Sequence, residues 1–189
     1  MGCPAGRPAV GVTMGLVALS ADDWRRWRDV RVRALREDPA AFACSAHDLS
    51  AQASEQQWRR ALGTRRVFLA VDDDGRDVAM IGLAPGDEPE LVSMWVAPEA
   101  RRSGIGVALV EAVVSEAGAR PLRLRVMAEN SGAIAFYETC GFALTGDPVD
   151  DEGTLTMRRV GTPATTTWSP PAERPRRPGG PPPAPSADQ

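Results

Sequence analysis

The sequence predicts a single α/β domain, built on a mixed, mostly antiparallel sheet of about six to seven strands with about four flanking helices. Three observations predict it. The hydrophobic period switches repeatedly between two, typical of strands, and 3.6, typical of helices. Strand patterns dominate early, and helix–strand alternation follows, which favours a mixed sheet. The chain has 189 residues, of which 43% are hydrophobic, and this suffices for one buried core.

The elements follow in order from local patterns. A strand is predicted at 13–19. Ser20 and Asp23 then form a Ser-x-x-Asp capping box, which begins a helix. Asp38-Pro39 ends that helix. A turn at 72–75 links two strands of a hairpin. The other predicted elements are helices at 53–62, 104–117 and 131–139, and strands at 66–71, 78–83, 90–96, 122–127 and 153–159.

Both ends of the chain are predicted to lie outside this domain, which is assigned to 13–161. Residues 1–12 form an N-terminal extension that we expect to be disordered, and Met14 is an alternative start. The segment 162–189 contains nine prolines and few large apolar residues, so it is predicted to be a disordered tail with polyproline character. Docking of 181–185 on an aromatic groove is the alternative for that tail.

The composition excludes several classes of protein. All 22 basic residues are arginine, which excludes a lysine-dependent P-loop and a Schiff-base mechanism. The net charge of −3 argues against a nucleic-acid partner, and the absence of any run of about 18 apolar residues argues against a membrane span. No metal site is predicted, because one histidine and three scattered cysteines supply too few ligands: His47, Cys3, Cys44 and Cys140. An odd number of scattered cysteines indicates reduced thiols and a cytoplasmic protein, and the composition is typical of a high-GC bacterial genome.

The most informative segment, 96–107, joins a predicted strand to a predicted helix. A helix N-terminus carries unpaired amide groups and partial positive charge, which suit a phosphate or pyrophosphate. Gly104 and Gly106 leave those amides open, and Arg101 and Arg102 add positive charge nearby. A dinucleotide fingerprint fits poorly, because Leu109 stands where that pattern has a third glycine or alanine. A plain glycine-rich helix start is the remaining alternative.

Two motifs together carry a resemblance. The pattern Arg101-x-x-Gly104-x-Gly106 resembles the acyl-CoA pyrophosphate loop of the GNAT N-acetyltransferases. The segment from Asn130 to Phe142 is similar to that family's second motif, N-x-x-A-x-x-x-Y-x-x-x-G-F. The resemblance is dense over 90–146, rests only on element order over 13–83, and is absent from the tail.

The resemblance implies direct transfer of an acetyl group from acetyl-CoA to the primary amine of a small molecule or peptide, without a metal. In this family a bulge in the strand before the loop separates two strands, and main-chain groups there bind the pantetheine arm. Acetyl-CoA would accordingly contact Met94, Trp95, Val96, Arg101, Arg102, Ser103, Gly104, Ile105, Gly106, Val107, Asn130 and Tyr137.

The resemblance places two residues in the chemistry itself. Tyr137, the single tyrosine, would protonate the departing thiolate, and a packed aromatic side chain is the alternative role. Glu90 would serve as general base, directly or through water, and a solvated carboxylate is the alternative. Regular alternation places Glu90 on the same strand face as Val92, Met94 and Val96. The branch that acetylates ribosomal-protein N termini has a glutamate where this sequence has Arg125.

Other assignments stay open from the sequence. A protein that binds acyl-CoA as a regulatory ligand without turnover is the alternative function. Trp24, Trp27 and Trp58 lie in segments that line the acceptor pocket in this family, where they would either hold a cationic amine or pack in the core. The sequence identifies neither the acceptor amine nor a homodimer interface.

Overall fold

Strands and helices alternate in the predicted order through residues 15–42 and 52–161, the part of the chain that this computed structural model describes. The strands are β1 (Gly15–Ala18), β2 (Arg66–Val71), β3 (Asp77–Ala84), β4 (Glu90–Val96), β5 (Leu122–Met127), β6 (Ala143–Leu144) and β7 (Thr154–Arg159). The α-helices are α1 (Trp24–Glu37), α2 (Glu55–Thr64), α3 (Ile105–Ala117) and α4 (Ser131–Thr139). Short 3-10 helices cover Ala21–Asp23, Pro39–Phe42 and Pro98–Ala100.

Predictions for the chain ends lie outside the described residues, as do those for Cys3, Met14, Cys44 and His47. Within the described ranges, no helix is long and apolar enough to cross a membrane.

Local sequence signals account for most element boundaries. The capping box at Ser20 is confirmed, since the Ser20 N–H donates to an Asp23 carboxylate oxygen at 2.8 Å. A 3-10 turn intervenes before α1, which therefore begins at Trp24. The strand β6 was not predicted, because two residues are too short to show a hydrophobic period.

The predicted mixed, mostly antiparallel sheet is confirmed, with seven strands in the order β1-β2-β3-β4-β5-β7-β6. All neighbouring strands are antiparallel except β4 and β5. That parallel contact consists of two residue pairs, Glu90 with Arg123 and Leu91 with Leu124. Beyond Leu91 the two strands separate, and a gap opens between the C-terminal parts of β4 and β5.

A β-bulge interrupts β4 where the strands separate. Met80 and Gly82 on β3 are two residues apart, whereas their partners on β4, Trp95 and Val92, are three residues apart. Ser93 within this interval has a φ of 55°, a left-handed conformation that few residues other than glycine adopt.

The bulge makes one prediction wrong. Directly paired residues on adjacent strands point to the same sheet face, so the pairs of Glu90 with Ala84, Val92 with Gly82 and Trp95 with Met80 place those three β4 residues on one face. Val96 pairs with Ala79 and lies on the other face. Glu90 therefore does not share a face with Val96, because the extra residue in the bulge shifts the alternation by one.

The tryptophans of α1 and α2 belong to the hydrophobic core. Trp24, Trp27 and Trp58 are all buried, and the rings of Trp27 and Trp58 meet edge to face with their centroids 4.9 Å apart. Of the two roles that the sequence left open for these residues, the structure supports core packing for all three.

Candidate functional site

The gap between β4 and β5 exposes main-chain groups of Val96. The N–H of the next residue, Ala97, donates to the Val78 carbonyl of β3 at 2.8 Å. Because successive residues of a strand direct their amides to opposite edges, the N–H and C=O of Val96 face the gap. An extended ligand lying there can pair with this strand edge as a missing strand would.

The loop after β4 presents a second set of main-chain donors. The first hydrogen bond of α3 runs from the Ala108 N–H to the Gly104 carbonyl at 3.1 Å. The amides of Ile105, Gly106 and Val107 therefore precede the helix's own hydrogen bonds and can bind an anion. Arg102 and Gly104 both have positive φ, 60° and 88°, a backbone pattern typical of concave anion-binding nests.

The two arginines of this loop have different surroundings. Arg102 is exposed and makes no ion pair with another described residue, so it remains available to a phosphate. Arg101 is engaged: its Nε donates to the Val96 carbonyl at 3.0 Å, and its terminal nitrogen forms an ion pair with Asp38 at the end of α1. The role of both arginines at the anion site stays a prediction, and Arg102 has the guanidinium that no described carboxylate engages.

Gly106 lies where the loop, β4 and α4 meet. A Cβ built on Gly106 would lie 3.1 Å from Cζ of Phe136 and 3.4 Å from the methyl group of Met94. Gly104, in contrast, faces open space. The structure thus brings together the loop, Met94 and α4, as the two sequence motifs predict, and adds Phe136, which sequence reasoning did not single out.

Tyr137 is held on the inner side of α4. Asn130 caps this helix, with its side-chain oxygen accepting from the Ala133 N–H at 3.0 Å. Tyr137 is 7% exposed, and its ring packs between those of Phe136 and Phe142. Burial raises the pKa of the Tyr137 phenol above its ordinary value of 10.0, with a smaller contribution from Cys140. The phenol consequently carries its proton throughout the neutral pH range.

This raised pKa predicts a loss of stability in alkali. Above pH 10.0 the unfolded chain releases the Tyr137 proton whereas the folded chain retains it, so the free energy of unfolding falls as pH rises. Below pH 10.0 the protonated Tyr137 phenol makes its full contribution to the free energy of unfolding. Denaturant unfolding at a series of pH values should show a shallower alkaline decline for Tyr137→Phe than for wild type. Because the chain has one tyrosine, phenolate absorbance follows this group directly, and a titration near 10 in the folded protein would contradict the prediction.

Glu90 lies at the closed end of the gap, where β4 and β5 still pair. It is 8% exposed, and its carboxylate contacts Arg123 at 2.9 Å and Arg125 at 3.3 Å through different oxygens. Arg125 also contacts Glu152 at 2.7 Å. This arrangement favours a role in joining β4 to β5, and the role as general base stays a prediction.

Replacement of Glu90 by glutamine separates these two roles. If Glu90 joins the strands, Glu90→Gln should lower the free energy of unfolding by about 1 kcal/mol, because Arg123 loses its charged partner and Arg125 keeps only the carboxylates on its other side, chiefly Glu152. The acidic limb of the kcat/KM profile should stay at the wild-type pH. The exposed Arg66–Glu116 pair supplies the control, since Glu116→Gln should change stability by less than about 0.5 kcal/mol. Loss of the acidic limb in Glu90→Gln would instead identify Glu90 as the base.

The remaining predicted residues have mainly local roles. Ser103 donates to the Ala100 carbonyl at 2.6 Å, and Trp95 is 3% exposed with the Arg33 guanidinium 5.3 Å from its ring centroid.

Cys140 is half-buried, and burial raises the pKa of its thiol, so it is not an activated nucleophile. Among the described residues, no group of three or more histidine, cysteine, aspartate or glutamate side chains is placed to hold a metal ion.

Comparison with known proteins identifies relatives. A family model described as the acetyltransferase (GNAT) family matches residues 23–142. A mycothiol acetyltransferase from Mycolicibacterium smegmatis is 32% identical over 106 residues, which cover 53% of this chain. The [ribosomal protein bS18]-alanine N-acetyltransferase of Escherichia coli K12 is 32% identical over 108 residues, which cover 55% of this chain. The match spans 34% of the first relative's length and 73% of the second's.

Solved structures agree on the fold. The crystal structure of the ribosomal-protein-S18-alanine N-acetyltransferase from Escherichia coli superposes with a TM-score of 0.58 at 22% identity, covering 83% of this chain and 100% of that one. Spermidine N-acetyltransferase from Vibrio cholerae, in complex with CoA and spermine, gives a TM-score of 0.57 at 18% identity. That match covers 77% of this chain and 92% of the other.

Proposed function

Because this chain belongs to the GNAT family of acetyltransferases, we propose that it transfers an acetyl group from acetyl-CoA to a primary amine. The acceptor would be a small molecule or a peptide. The observation that carries the proposal is the junction of two binding surfaces: the open edge of β4 at Val96 and the free amides at the start of α3. An extended arm that ends in a pyrophosphate matches both surfaces at once.

In this proposal the chain binds acetyl-CoA mainly through its backbone. The amides of Ile105, Gly106 and Val107 would bind the pyrophosphate, assisted by the Arg102 guanidinium. The pantetheine arm would lie in the gap and pair with Val96. Met94 and Phe136, which meet at Gly106, would line its path. The residues fit this cofactor because the Val96 N–H faces the gap, and the Val96 carbonyl, which accepts one hydrogen bond from Arg101, has a second lone pair for an amide-containing arm.

The chemistry proposed is direct transfer, with no covalent enzyme intermediate. The neutral amine attacks the thioester carbonyl carbon, and the Val96 N–H stabilises the oxygen that becomes negatively charged. The carbon–sulfur bond then breaks, the acetyl group stays on nitrogen, and the thiolate takes a proton from the Tyr137 hydroxyl. The amine proton passes to Glu90 or to water that Glu90 positions, an assignment that the glutamine variant tests. The phenolate left on Tyr137 regains a proton from water, which completes the cycle.

Release of free thiol from acetyl-CoA tests the proposal. The full chain would be assayed against a panel of polyamines, amino acids, amino sugars and peptides with a free N terminus, each compared with a reaction without acceptor. We expect release that requires one acceptor class. Binding of acetyl-CoA without turnover by any acceptor would favour the alternative, a regulatory protein that holds acyl-CoA as a ligand. Absence of binding would overturn both.

A further inference from the structure

Arg101 connects the loop between β4 and α3 to the end of α1. Arg101 bridges two elements, donating from Nε to the Val96 carbonyl at 3.0 Å and forming an ion pair with Asp38 through its terminal nitrogen. Asp38 is the residue that ends α1, 63 positions away in the sequence. We call this bridge of Asp38, Arg101 and Val96 the Arg101 link.

A second contact connects the same two elements. The Arg33 guanidinium, on α1, bonds Glu99 of the loop at 2.6 Å and Glu37 of its own helix at 2.9 Å. The same guanidinium lies 5.3 Å from the Trp95 ring centroid on β4. The last turns of α1 therefore contact both the end of β4 and the loop that follows it.

We propose that Arg101 is a positioning residue for acetyl-CoA binding, and that it acts by holding Val96 and the loop against α1 instead of contacting the pyrophosphate. The inference rests on the proposed function and extends it. Arg101 occupies the motif position at which the sequence predicts a side chain that contacts the pyrophosphate. Its guanidinium contacts the Val96 carbonyl and the Asp38 carboxylate, so both ends of the group are already engaged by protein atoms.

The Arg101 link also acts on the strand edge itself. The carbonyl of Val96 faces the gap beside the N–H proposed to stabilise the reacting oxygen. A guanidinium on this carbonyl fixes the orientation of the whole peptide group, because the carbonyl belongs to a planar unit that continues into Ala97. Arg101 would thus keep the end of β4 ordered before acetyl-CoA arrives, and less ordering entropy is lost on binding.

Hydrogen exchange in the ligand-free full chain tests the link without any assumption about activity. The amides of Ala97, Ala100 and Arg101 are all hydrogen-bonded and report on this segment. Exchange there should become about threefold faster in Asp38→Asn and in Arg101→Gln, the scale of a partly exposed ion pair. The control is Glu116→Gln, which removes a carboxylate of α3 from an exposed ion pair with Arg66 on β2 and touches neither Arg101 nor Arg33. Wild-type exchange in Asp38→Asn would overturn the proposal.

The change in the dissociation constant of acetyl-CoA in these variants, measured by calorimetry, then distinguishes positioning from direct contact by its direction. If Arg101 positions the loop, Asp38→Asn should weaken binding about threefold, and the Asp38→Asn, Arg101→Gln double variant should be no weaker than Arg101→Gln alone. If Arg101 binds phosphate, removal of Asp38 frees its guanidinium, and binding should tighten. Tighter binding would overturn the proposal. If wild type does not bind acetyl-CoA, the proposed function fails, and the exchange experiment alone decides the link.

Discussion

Tyr137→Phe is expected to lower kcat about 100-fold, in the range usual for loss of a general acid. The phenol is buried between Phe136 and Phe142, and its raised pKa keeps the proton in place at neutral pH. Without the hydroxyl, the thiolate must leave unprotonated or take a proton from water. The substitution removes a single oxygen atom, so the dissociation constant of acetyl-CoA should stay within about twofold of wild type.

Two measurements keep this result interpretable. Denaturant unfolding at neutral pH should show the variant to be about as stable as wild type, because the phenyl ring fills the same space. Calorimetry with acetyl-CoA should show that the binding site is intact. A variant that binds acetyl-CoA normally and keeps the wild-type kcat would show that the thiolate takes its proton from another source.

Gly106→Val is expected to weaken acetyl-CoA binding about 100-fold, the equivalent of one or two charge-assisted hydrogen bonds. A Cβ at this position would already lie 3.1 Å from the Phe136 ring and 3.4 Å from the Met94 methyl group. The two further methyl groups of valine must displace those side chains or shift the start of α3. Either change moves the amides that the proposed function assigns to the pyrophosphate.

Gly63→Val provides the matched control for this variant. Gly63 also lies in a helix, α2, but a Cβ there meets nothing within 4 Å. It should leave the dissociation constant of acetyl-CoA unchanged. Wild-type affinity in Gly106→Val would contradict the assignment of this helix start to acetyl-CoA.

Local signals in the sequence predicted most of the fold. The Ser20–Asp23 capping box and the turn at 72–75 each depend on residues a few positions apart, and each lies where the sequence placed it. The two motifs were assigned to one ligand, and the start of α3 does lie close to α4, since a Cβ on Gly106 would be 3.1 Å from the Phe136 ring.

Features that depend on distant partners were not predictable. Regular alternation assigned Glu90 and Val96 to one face, but the bulge at Ser93 reverses that relation. The resemblance implied a bulge in this strand but not its position, because a bulge at a residue other than glycine has no clear signature in a single sequence. The ion pairs of Arg101 with Asp38 and of Glu90 with Arg125 join residues far apart along the chain, so composition and spacing carry no trace of them.

The short contact between β4 and β5 has a consequence for cooperativity. It divides the sheet into two leaves, β1 to β4 and β5 to β7, each held by longer antiparallel pairing. Two residue pairs and the Glu90 ion pairs join the leaves across the sheet. A ligand that pairs with the edge of β4 inside the gap would continue the sheet across the gap. Its binding energy would then couple the unfolding of the two leaves, which open more independently without it.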